Sequence, residues 1–226
     1  MAAGLGSRMG ELTRDVPKPM IRVNGKELIS TLIDALYSHG VEDIVVVGGY
    51  KFEKIKKFLS EKYPSVVLIE NKYYSTANNI SSVYVARDYL NTDVLICESD
   101  LYVSNQEIFE QEYIKSGYFS FFKEGIVDDW CFAVEKGQIR QIKRNGKDDY
   151  MMTGVSFFNK KDAEILKNEI AEAFENGSNN LYWDEVVDAS LSGIDMRIYN
   201  ISEGDLVELD TPQDIDRLLT KLDRRN

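Results

Sequence analysis

The amino-terminal stretch Met1-Ala2-Ala3-Gly4-Leu5-Gly6-Ser7-Arg8-Met9-Gly10 is followed a few residues later by Pro17-Lys18-Pro19. Glycines let a backbone approach a ligand closely and turn several N–H groups toward one anion. Arg8 and Lys18 bring full positive charge to the same place. The stretch therefore predicts a loop that holds the phosphates of a nucleoside triphosphate.

Two other phosphate-binding loops fit this stretch less well. A P-loop ends in Gly-Lys-Ser or Gly-Lys-Thr, which is missing here, and a dinucleotide fingerprint has a third glycine where Met9 stands. The structural alternative is a flexible glycine-rich terminus, but such a tail would not need prolines on both sides of Lys18.

The residues after the loop alternate between helical and strand-like patterns. Helices are predicted at 26–40, 52–63 and 80–89, and strands at 44–47, 66–69 and 94–97. The run Ile44-Val45-Val46-Val47 is apolar on both faces, which is typical of a parallel sheet. We therefore predict an α/β fold with a doubly wound, mostly parallel, Rossmann-like sheet and helices on both of its faces.

From residue 118 the pattern changes to short strand-like segments. They lie at 120–123, 130–135, 138–143 and 151–158, with Gly125, Gly137 and Gly146 between them, and they predict a small mixed β insertion. Helices are expected at 161–175 and 183–191, strands at 195–199 and 207–209, and a last helix from Pro212. We expect a single domain over 1–226, with a nucleotide-binding half at 1–117 and an acceptor-binding half at 118–226.

Composition excludes several classes of function. The net charge of −11 leaves no basic stripe for nucleic acid, and no apolar run approaches the roughly 18 residues that span a membrane. A zinc site would need more soft ligands than two cysteines and one histidine. A Ser-His-Asp or Cys-His arrangement would have to use His39, which is better placed to satisfy a helix end. Cys97 and Cys131 lie in apolar runs and indicate a reducing compartment, so a cytoplasmic protein is expected.

The strand at 94–97 becomes acidic at its carboxyl end, where Glu98 and Asp100 point to the same face. Ligands of open α/β sheets bind at this edge, and Mg²⁺ takes carboxylate and phosphate oxygens. Asp100 is the first predicted metal ligand. Asp210 is the second, because Thr211 can cap the following helix without it. The alternative is that both aspartates are turn and cap residues.

Trp130 and Trp183 are the only tryptophans, and acidic residues such as Asp129 and Asp184 adjoin them. A quaternary ammonium has no N–H group to donate, so proteins bind it with aromatic faces and nearby negative charge. Tyr182 could complete such a cage, although ordinary core packing would also explain either tryptophan. A primary ammonium would instead prefer a carboxylate such as Asp129, and a sugar phosphate would need several polar side chains.

The chain resembles the nucleotidyltransferase superfamily that includes the sugar-phosphate nucleotidyltransferases, and within it the bacterial phosphocholine cytidylyltransferases. The resemblance extends over nearly the full length. It lies in Ala2 to Pro19, Asn71-Lys72-Tyr73, Asn78-Asn79, Glu98 to Asp100, Asp129-Trp130, Thr153 to Phe157, Leu181 to Asp184 and Glu208-Leu209-Asp210. The strand end Glu98-Ser99-Asp100 departs from the Asp-Ala-Asp of the phosphocholine enzymes and resembles the aminoethylphosphonate cytidylyltransferases.

The resemblance implies roles for individual residues. Arg8, Lys18 and Asp100 would be catalytic, with Lys18 bridging the α-phosphate and the incoming phosphate, and Asp100 and Asp210 would hold Mg²⁺. The nucleotide would contact Ala2, Ala3, Gly4, Gly6, Ser7, Arg8, Asn78, Asn79, Ser82 and Glu98, and of these Asn78 or Asn79 with Ser82 would lie by the base. The acceptor would contact Asp129, Trp130, Gly154, Tyr182, Trp183 and Asp184.

The resemblance also implies a reaction, the transfer of CMP from CTP to phosphocholine with release of CDP-choline and pyrophosphate. The alternatives are 2-aminoethylphosphonate or phosphoethanolamine as acceptor, a sugar-1-phosphate nucleotidyltransferase, and a non-catalytic nucleotide-binding module. A fused or separate choline kinase and a role in cell-surface phosphocholine decoration are further expectations, and the oligomeric state is left open. Because such a loop normally follows a buried strand, a strand upstream of Met1 is also expected.

Overall fold

The computed structural model describes residues 1–223, and residues 224–226, at the end of the predicted acceptor-binding half, lie outside the described residues. The strands are β1 (Arg22–Val23), β2 (Lys26–Glu27), β3 (Val45–Gly48), β4 (Val67–Glu70), β5 (Val94–Cys97), β6 (Leu101–Val103), β7 (Gly117–Glu135), β8 (Gln138–Phe158), β9 (Arg197–Asn200) and β10 (Leu206–Glu208). The α-helices are α1 (Leu12–Asp15), α2 (Leu28–Ser38), α3 (Phe52–Lys62), α4 (Ile80–Val85), α5 (Lys160–Glu175), α6 (Trp183–Ser190) and α7 (Pro212–Asp223). Short 3₁₀ helices lie at Ser7–Met9, Lys18–Met20, Arg87–Tyr89 and Gln106–Phe109.

The chain forms two compact units. The first contains residues 1–75, 98–110 and the residues from Gly204 onward, and the second contains residues 76–97 and 111–203. These units differ from the predicted halves, because residues 76–97 and 111–117 belong to the second unit and the residues from Gly204 onward belong to the first. The single-domain interpretation stays a prediction.

In the first unit, β3 and β4 pair in parallel, from Val45 opposite Val67 to Gly48 opposite Glu70. Ala2 continues this pairing, since it forms a parallel bridge with Gly48 and donates its N–H to Val47 O at 2.7 Å. β6 and β10 form an antiparallel pair, with Leu101 opposite Glu208. This pair brings the segment around Asp100 next to the segment that ends at Asp210.

The helix α2 forms as its pattern predicts. Its buried apolar positions recur every three or four residues, which matches the helical period. Gly40 ends it with a φ of 78°, and its N–H donates to Tyr37 O at 3.1 Å. A second apolar cluster of the unit contains Met9, Ile21, Val23, Leu28, Leu209 and Leu218. It ties the start and the end of the chain into one core.

The second unit is built on a four-stranded sheet with the order β5-β8-β7-β9. The four short strands predicted after residue 118 are wrong in their number, because the structure has two long strands of 19 and 21 residues. Gly137 does turn the chain, together with Lys136, and both have positive φ. Gly125 has a φ of 84°, and register shifts interrupt the pairing on both sides of Ile126 and Val127. The strand bulges there and continues.

The α/β class is confirmed, whereas the predicted sheet is more parallel than the observed one. Among the strands described, β3 pairs in parallel with β4 and β7 with β9, and the other pairs are antiparallel. The long hairpin of β7 and β8 accounts for most of this difference. Within residues 1–223, no helix combines the length and apolar composition needed to cross a lipid bilayer.

Candidate active site

The amino-terminal loop is anchored by two buried alanines. Ala2 and Ala3 are 2% and 5% exposed, and Ala3 O accepts a hydrogen bond from the N–H of Tyr50 at 3.1 Å. A Cβ at Gly49 would lie 2.7 Å from Ala3 O, so only glycine lets the two segments approach this closely. Sequence reasoning missed Gly49, although the Gly48-Gly49 pair after an apolar strand was a visible signal.

The bend of the loop requires glycine at position 6. Gly6 has a φ of 64°, in the left-handed region that L side chains rarely adopt. A Cβ there would lie 3.0 Å from Thr13 Cγ2 and 3.1 Å from Lys18 Cβ. Thr13 Oγ1 also donates toward Gly6 O at 3.0 Å. The bend therefore packs directly against the residue that carries the second cation.

The outer side of the loop is open. Gly4, Ser7 and Arg8 are exposed, and a Cβ built on Gly4 would meet no described atom within 4 Å. The chain's own packing therefore does not require glycine at position 4. The space beside it suits a ligand that contacts the backbone.

Four charged side chains of the first unit form one network. Lys18 Nζ lies 2.7 Å from Asp100 Oδ2 and 2.7 Å from Asp210 Oδ1. Arg8 Nη1 lies 2.6 Å from Asp210 Oδ2. The structure thus brings together the two predicted cations and the two predicted metal ligands, which come from three distant parts of the chain.

Lys18 is held in place by its backbone and by its partners. Pro17 has a φ of −65°, Pro19 follows Lys18 inside a 3₁₀ turn, and Lys18 is only 8% exposed. Burial is the largest effect on the pKa of Lys18 and lowers it, but the charges and hydrogen bonds of Asp100 and Asp210 together outweigh burial. The pKa is therefore raised above its ordinary value, and the ammonium stays charged.

Asp210 is available to the cations because another aspartate serves the start of α7. Asp214 Oδ2 accepts hydrogen bonds from Thr211 N at 2.8 Å and from Thr211 Oγ1 at 2.7 Å. Its pKa is lowered, because these hydrogen bonds to the carboxylate outweigh the effect of burial, which alone would raise it. Asp214 and Thr211 together leave the Asp210 carboxylate to the network.

A set of carboxylates beside Lys18 fits a hard cation. Oxygens of Glu98, Asp100 and Glu208 lie within 4.8 Å of one another. Asp100 Oδ1 is buried and accepts no hydrogen bond from the described residues. Oxygen-only donors of this kind suit Mg²⁺. Sequence reasoning missed Glu208, although Glu208 and Asp210 repeat the spacing of Glu98 and Asp100.

In the second unit, the residues predicted to lie by the base make structural contacts. Asn79 Oδ1 accepts from the N–H of Trp183 at 3.0 Å, and Asn78 Nδ2 donates to Asn180 O at 3.2 Å. Ser82 is 4% exposed. These contacts hold the start of α4 against the segment before α6. Contact of the three residues with a base stays a prediction.

The predicted aromatic cage differs from the arrangement found. The rings of Trp130 and Tyr182 lie 5.5 Å apart at an interplanar angle of 62°. Trp183 is only 3% exposed and packs 6.0 Å from the ring of Tyr118 and 6.1 Å from that of Phe158. Tyr182 is the N-cap of α6 and Trp183 its first residue, so the two side chains take different directions. Trp183 is therefore a core residue, as the alternative interpretation held.

Asp184 is likewise buried rather than open to a ligand. It is 4% exposed and accepts a hydrogen bond from the Tyr118 hydroxyl at 2.9 Å. Burial raises its pKa to about 7. Asp129 is exposed and accepts from the N–H of Trp130 at 2.7 Å, and Gly154 has a φ of 78° within β8. Of the residues predicted for the acceptor, Asp129, Trp130 and Tyr182 offer surface on which a ligand can bind.

Comparison with known proteins identifies relatives over the whole chain. A family model of the MobA-like NTP transferase domain matches residues 1–113. A 2-aminoethylphosphonate cytidylyltransferase of Lancefieldella rimae is 42% identical over 214 residues, which cover 93% of this chain and 87% of that protein. A choline-phosphate cytidylyltransferase of Streptococcus pneumoniae is 30% identical over 100% of this chain and 98% of its own length.

A solved structure of a cytidylyltransferase is also similar to this chain over nearly its whole length. The CTP:phosphocholine cytidylyltransferase of Streptococcus pneumoniae matches with a TM-score of 0.90 and 30% identity, over 98% of this chain and 96% of that one. The fold and the charged site define an α/β nucleotidyltransferase with a Rossmann-like fold. The chain belongs to the MobA-like NTP transferase family. The resemblance to the phosphocholine cytidylyltransferases is confirmed.

Proposed function

We propose that the protein transfers CMP from CTP to a small amine that carries a phosphate or phosphonate group, with release of pyrophosphate. The observation that carries the proposal is the network of Arg8, Lys18, Asp100 and Asp210. A protein that only binds a nucleotide has no need of two half-buried carboxylates aligned on one lysine beside a phosphate loop.

The reaction needs no nucleophile from the protein. An oxygen of the acceptor's phosphate or phosphonate attacks the α-phosphorus of CTP, and the bond to the β-phosphate oxygen breaks as pyrophosphate leaves. The contribution of the protein is to position the groups and to neutralise the charge that develops. Arg8 and Lys18 supply that positive charge, and the backbone N–H groups around Gly4 and Gly6 bind the phosphates.

Asp100 and Asp210 would hold Mg²⁺, with Glu98 and Glu208 close by. When it is bound, the ion supplies positive charge to the phosphate oxygens. Lys18 already touches both aspartates in the structure, so its ammonium stays beside the ion-binding carboxylates. The carboxylates keep Lys18 charged and fix the position of its ammonium. A group that stabilises a reacting phosphate needs both properties.

Two acceptors are supported by specific observations. Phosphocholine is supported by the half-buried ring pair of Trp130 and Tyr182 and by the Streptococcus pneumoniae relative. The phosphonate 2-aminoethylphosphonate is supported by the 42% identity to the Lancefieldella rimae protein and by the strand end Glu98-Ser99-Asp100. A cytoplasmic location, pairing with a choline kinase and a role in cell-surface decoration belong to the phosphocholine version of the proposal.

The test is a substrate panel read by pyrophosphate release. The protein is mixed with Mg²⁺ and each of CTP, UTP, GTP and ATP, and each nucleotide is crossed with phosphocholine, phosphoethanolamine, 2-aminoethylphosphonate and glucose-1-phosphate. We expect release with CTP and an amine-bearing acceptor. Release with a sugar phosphate and not with the amines, or no release with any pair, would refute the proposal.

A further inference from the structure

The ring pair of the second unit already holds a cation that belongs to the protein. The guanidinium carbon of Arg144 lies 4.5 Å from the ring centroid of Trp130 and 4.8 Å from that of Tyr182. Both distances are within the range of a cation–π contact. One positive group therefore sits on two aromatic faces at once.

The sheet places Arg144 there. Trp130 on β7 and Arg144 on β8 are directly paired across the hairpin, so their side chains rise on the same face. Tyr182 adds the second ring from the N-cap of α6. Arg144 is exposed, and its side chain has no ion pair or hydrogen-bond partner within residues 1–223. The rings are its only contacts of this kind in the described structure.

We propose that Arg144 is a specificity-determining residue, which competes with the cationic head group of the acceptor for the Trp130–Tyr182 ring pair and thereby favours a primary amine over a quaternary ammonium. The proposal deepens the function proposed above and rests on it.

The two head groups differ in what they need from the protein. A trimethylammonium group cannot donate hydrogen bonds, so its binding depends on aromatic faces, and here it must first displace the guanidinium. A primary ammonium has N–H donors and can pair with a carboxylate. Asp128 and Asp129 are both exposed immediately before Trp130. Occupation of the rings by Arg144 therefore costs the quaternary acceptor more than the primary one.

The experiment compares Arg144→Gln with Arg140→Gln. Both changes remove one exposed arginine charge from β8, but Arg140 pairs with Glu135 at 3.8 Å and makes no cation–π contact among the described residues. The kcat/KM for phosphocholine divided by that for 2-aminoethylphosphonate is measured for each protein. We expect this ratio to rise about fivefold in Arg144→Gln, the equivalent of one cation–π contact of about 1 kcal/mol. It should stay at the wild-type value in Arg140→Gln.

Direct binding supplies a second measurement that does not depend on catalysis. Tetramethylammonium is titrated against the tryptophan fluorescence, and Trp130→Phe identifies the signal that comes from Trp130 rather than from buried Trp183. We expect tetramethylammonium to bind Arg144→Gln several-fold more tightly than the wild-type protein. Thermal melts establish that the variants are folded.

Two results would overturn the proposal. One is an unchanged ratio together with unchanged tetramethylammonium binding in Arg144→Gln. The other is an equal loss for both acceptors, since Arg144 would then bind the phosphate or phosphonate instead. If no acceptor yields pyrophosphate with the wild-type protein, the proposed function fails, and the fluorescence titration still decides whether Arg144 and a quaternary ammonium compete for the rings.

Discussion

Lys18 and Asp210 form an ion pair of 2.7 Å although 192 positions separate them in the chain. The same ammonium lies 2.7 Å from Asp100, so one buried lysine joins two carboxylates that would otherwise repel each other. This arrangement makes Lys18 the most sensitive position of the proposed site.

Replacement of Lys18 by alanine should lower kcat by about 10²- to 10³-fold, the usual effect of removing one group that stabilises a transition-state charge. The KM for CTP should change less, because Arg8 and the loop backbone remain. Steady-state pyrophosphate release checks this, with Lys57→Ala on the exposed face of α3 as the control. Turnover near the wild-type rate in Lys18→Ala would mean that Lys18 has only a structural role.

The Mg²⁺ requirement of pyrophosphate release should change when Asp100 is replaced. Removal of Mg²⁺ with EDTA should abolish pyrophosphate release, and added Mg²⁺ should restore it. Asp100→Asn retains the size of the side chain but loses the charge that holds the ion, so the Mg²⁺ concentration for half-maximal activity should rise at least several-fold. Exposed Asp43→Asn is the matched control. Identical Mg²⁺ curves for all three proteins would rule out Asp100 as a ligand.

Two glycines of the loop should respond differently to alanine. Gly6→Ala places a Cβ at a φ of 64° and close to Thr13 and Lys18. The left-handed backbone alone costs about 1–2 kcal/mol, and each kcal/mol lowers Tm by about 2–4 °C in a protein of this size. Gly4→Ala meets open space, so its Tm should stay at the wild-type value while the KM for CTP rises. Equal Tm values for both variants would contradict the role of Gly6 in the bend.

The buried carboxyl group of Asp184 should contribute to the pH dependence of the protein's stability. Burial raises the pKa of its carboxyl group to about 7 in the folded protein, from an ordinary value of 3.8. Between these two values the folded state binds more protons than the unfolded state, so this group's contribution to stability decreases as pH rises through the window. Asp184→Asn keeps an oxygen for the Tyr118 hydroxyl but cannot ionise.

Thermal melts at about pH 5 and about pH 8 measure the effect. From the lower to the higher pH, the Tm of the wild type should decrease by more than the Tm of Asp184→Asn. Exposed Asp43→Asn should behave as the wild type. If the wild type and Asp184→Asn lose equal amounts of Tm, the carboxyl group at position 184 ionises as easily in the folded chain as in the unfolded one.

Much of the charged site could be predicted because each part has its own local signal. The Gly-rich stretch, Lys18 between two prolines and the acidic strand ends at Asp100 and Asp210 are all visible within a few residues. Their convergence comes from the antiparallel pairing of β6 and β10, since Asp100 directly precedes β6 and Asp210 follows β10. The helix α2 could also be predicted, because its apolar periodicity indicates a helix and the glycine that follows it indicates where the helix ends.

The predictions that were wrong concern residues whose contacts in the folded protein are with residues distant in the chain. Gly125 predicts a turn locally, but in the structure its N–H donates to Asp148 of the facing strand at 2.7 Å and β7 continues as a bulged strand. Trp183 and Tyr182 are adjacent, and which of the two rings enters the core is decided by where α6 begins. The position of Arg144 on the rings follows from the register of β7 and β8, which the sequence does not reveal.

The three-segment origin of the charge network has a consequence for biosynthesis. A ribosome makes the chain from its amino end at about 5–20 residues per second, so Lys18 exists for about ten seconds or more before Asp210 is synthesised. During that interval the nascent polypeptide lacks one of the two carboxylates that raise the pKa of Lys18 in the finished protein. The first unit therefore completes its charge network only after Asp210 has been synthesised, and a truncated translation product ending before Asp210 carries the phosphate loop without the complete set of charges.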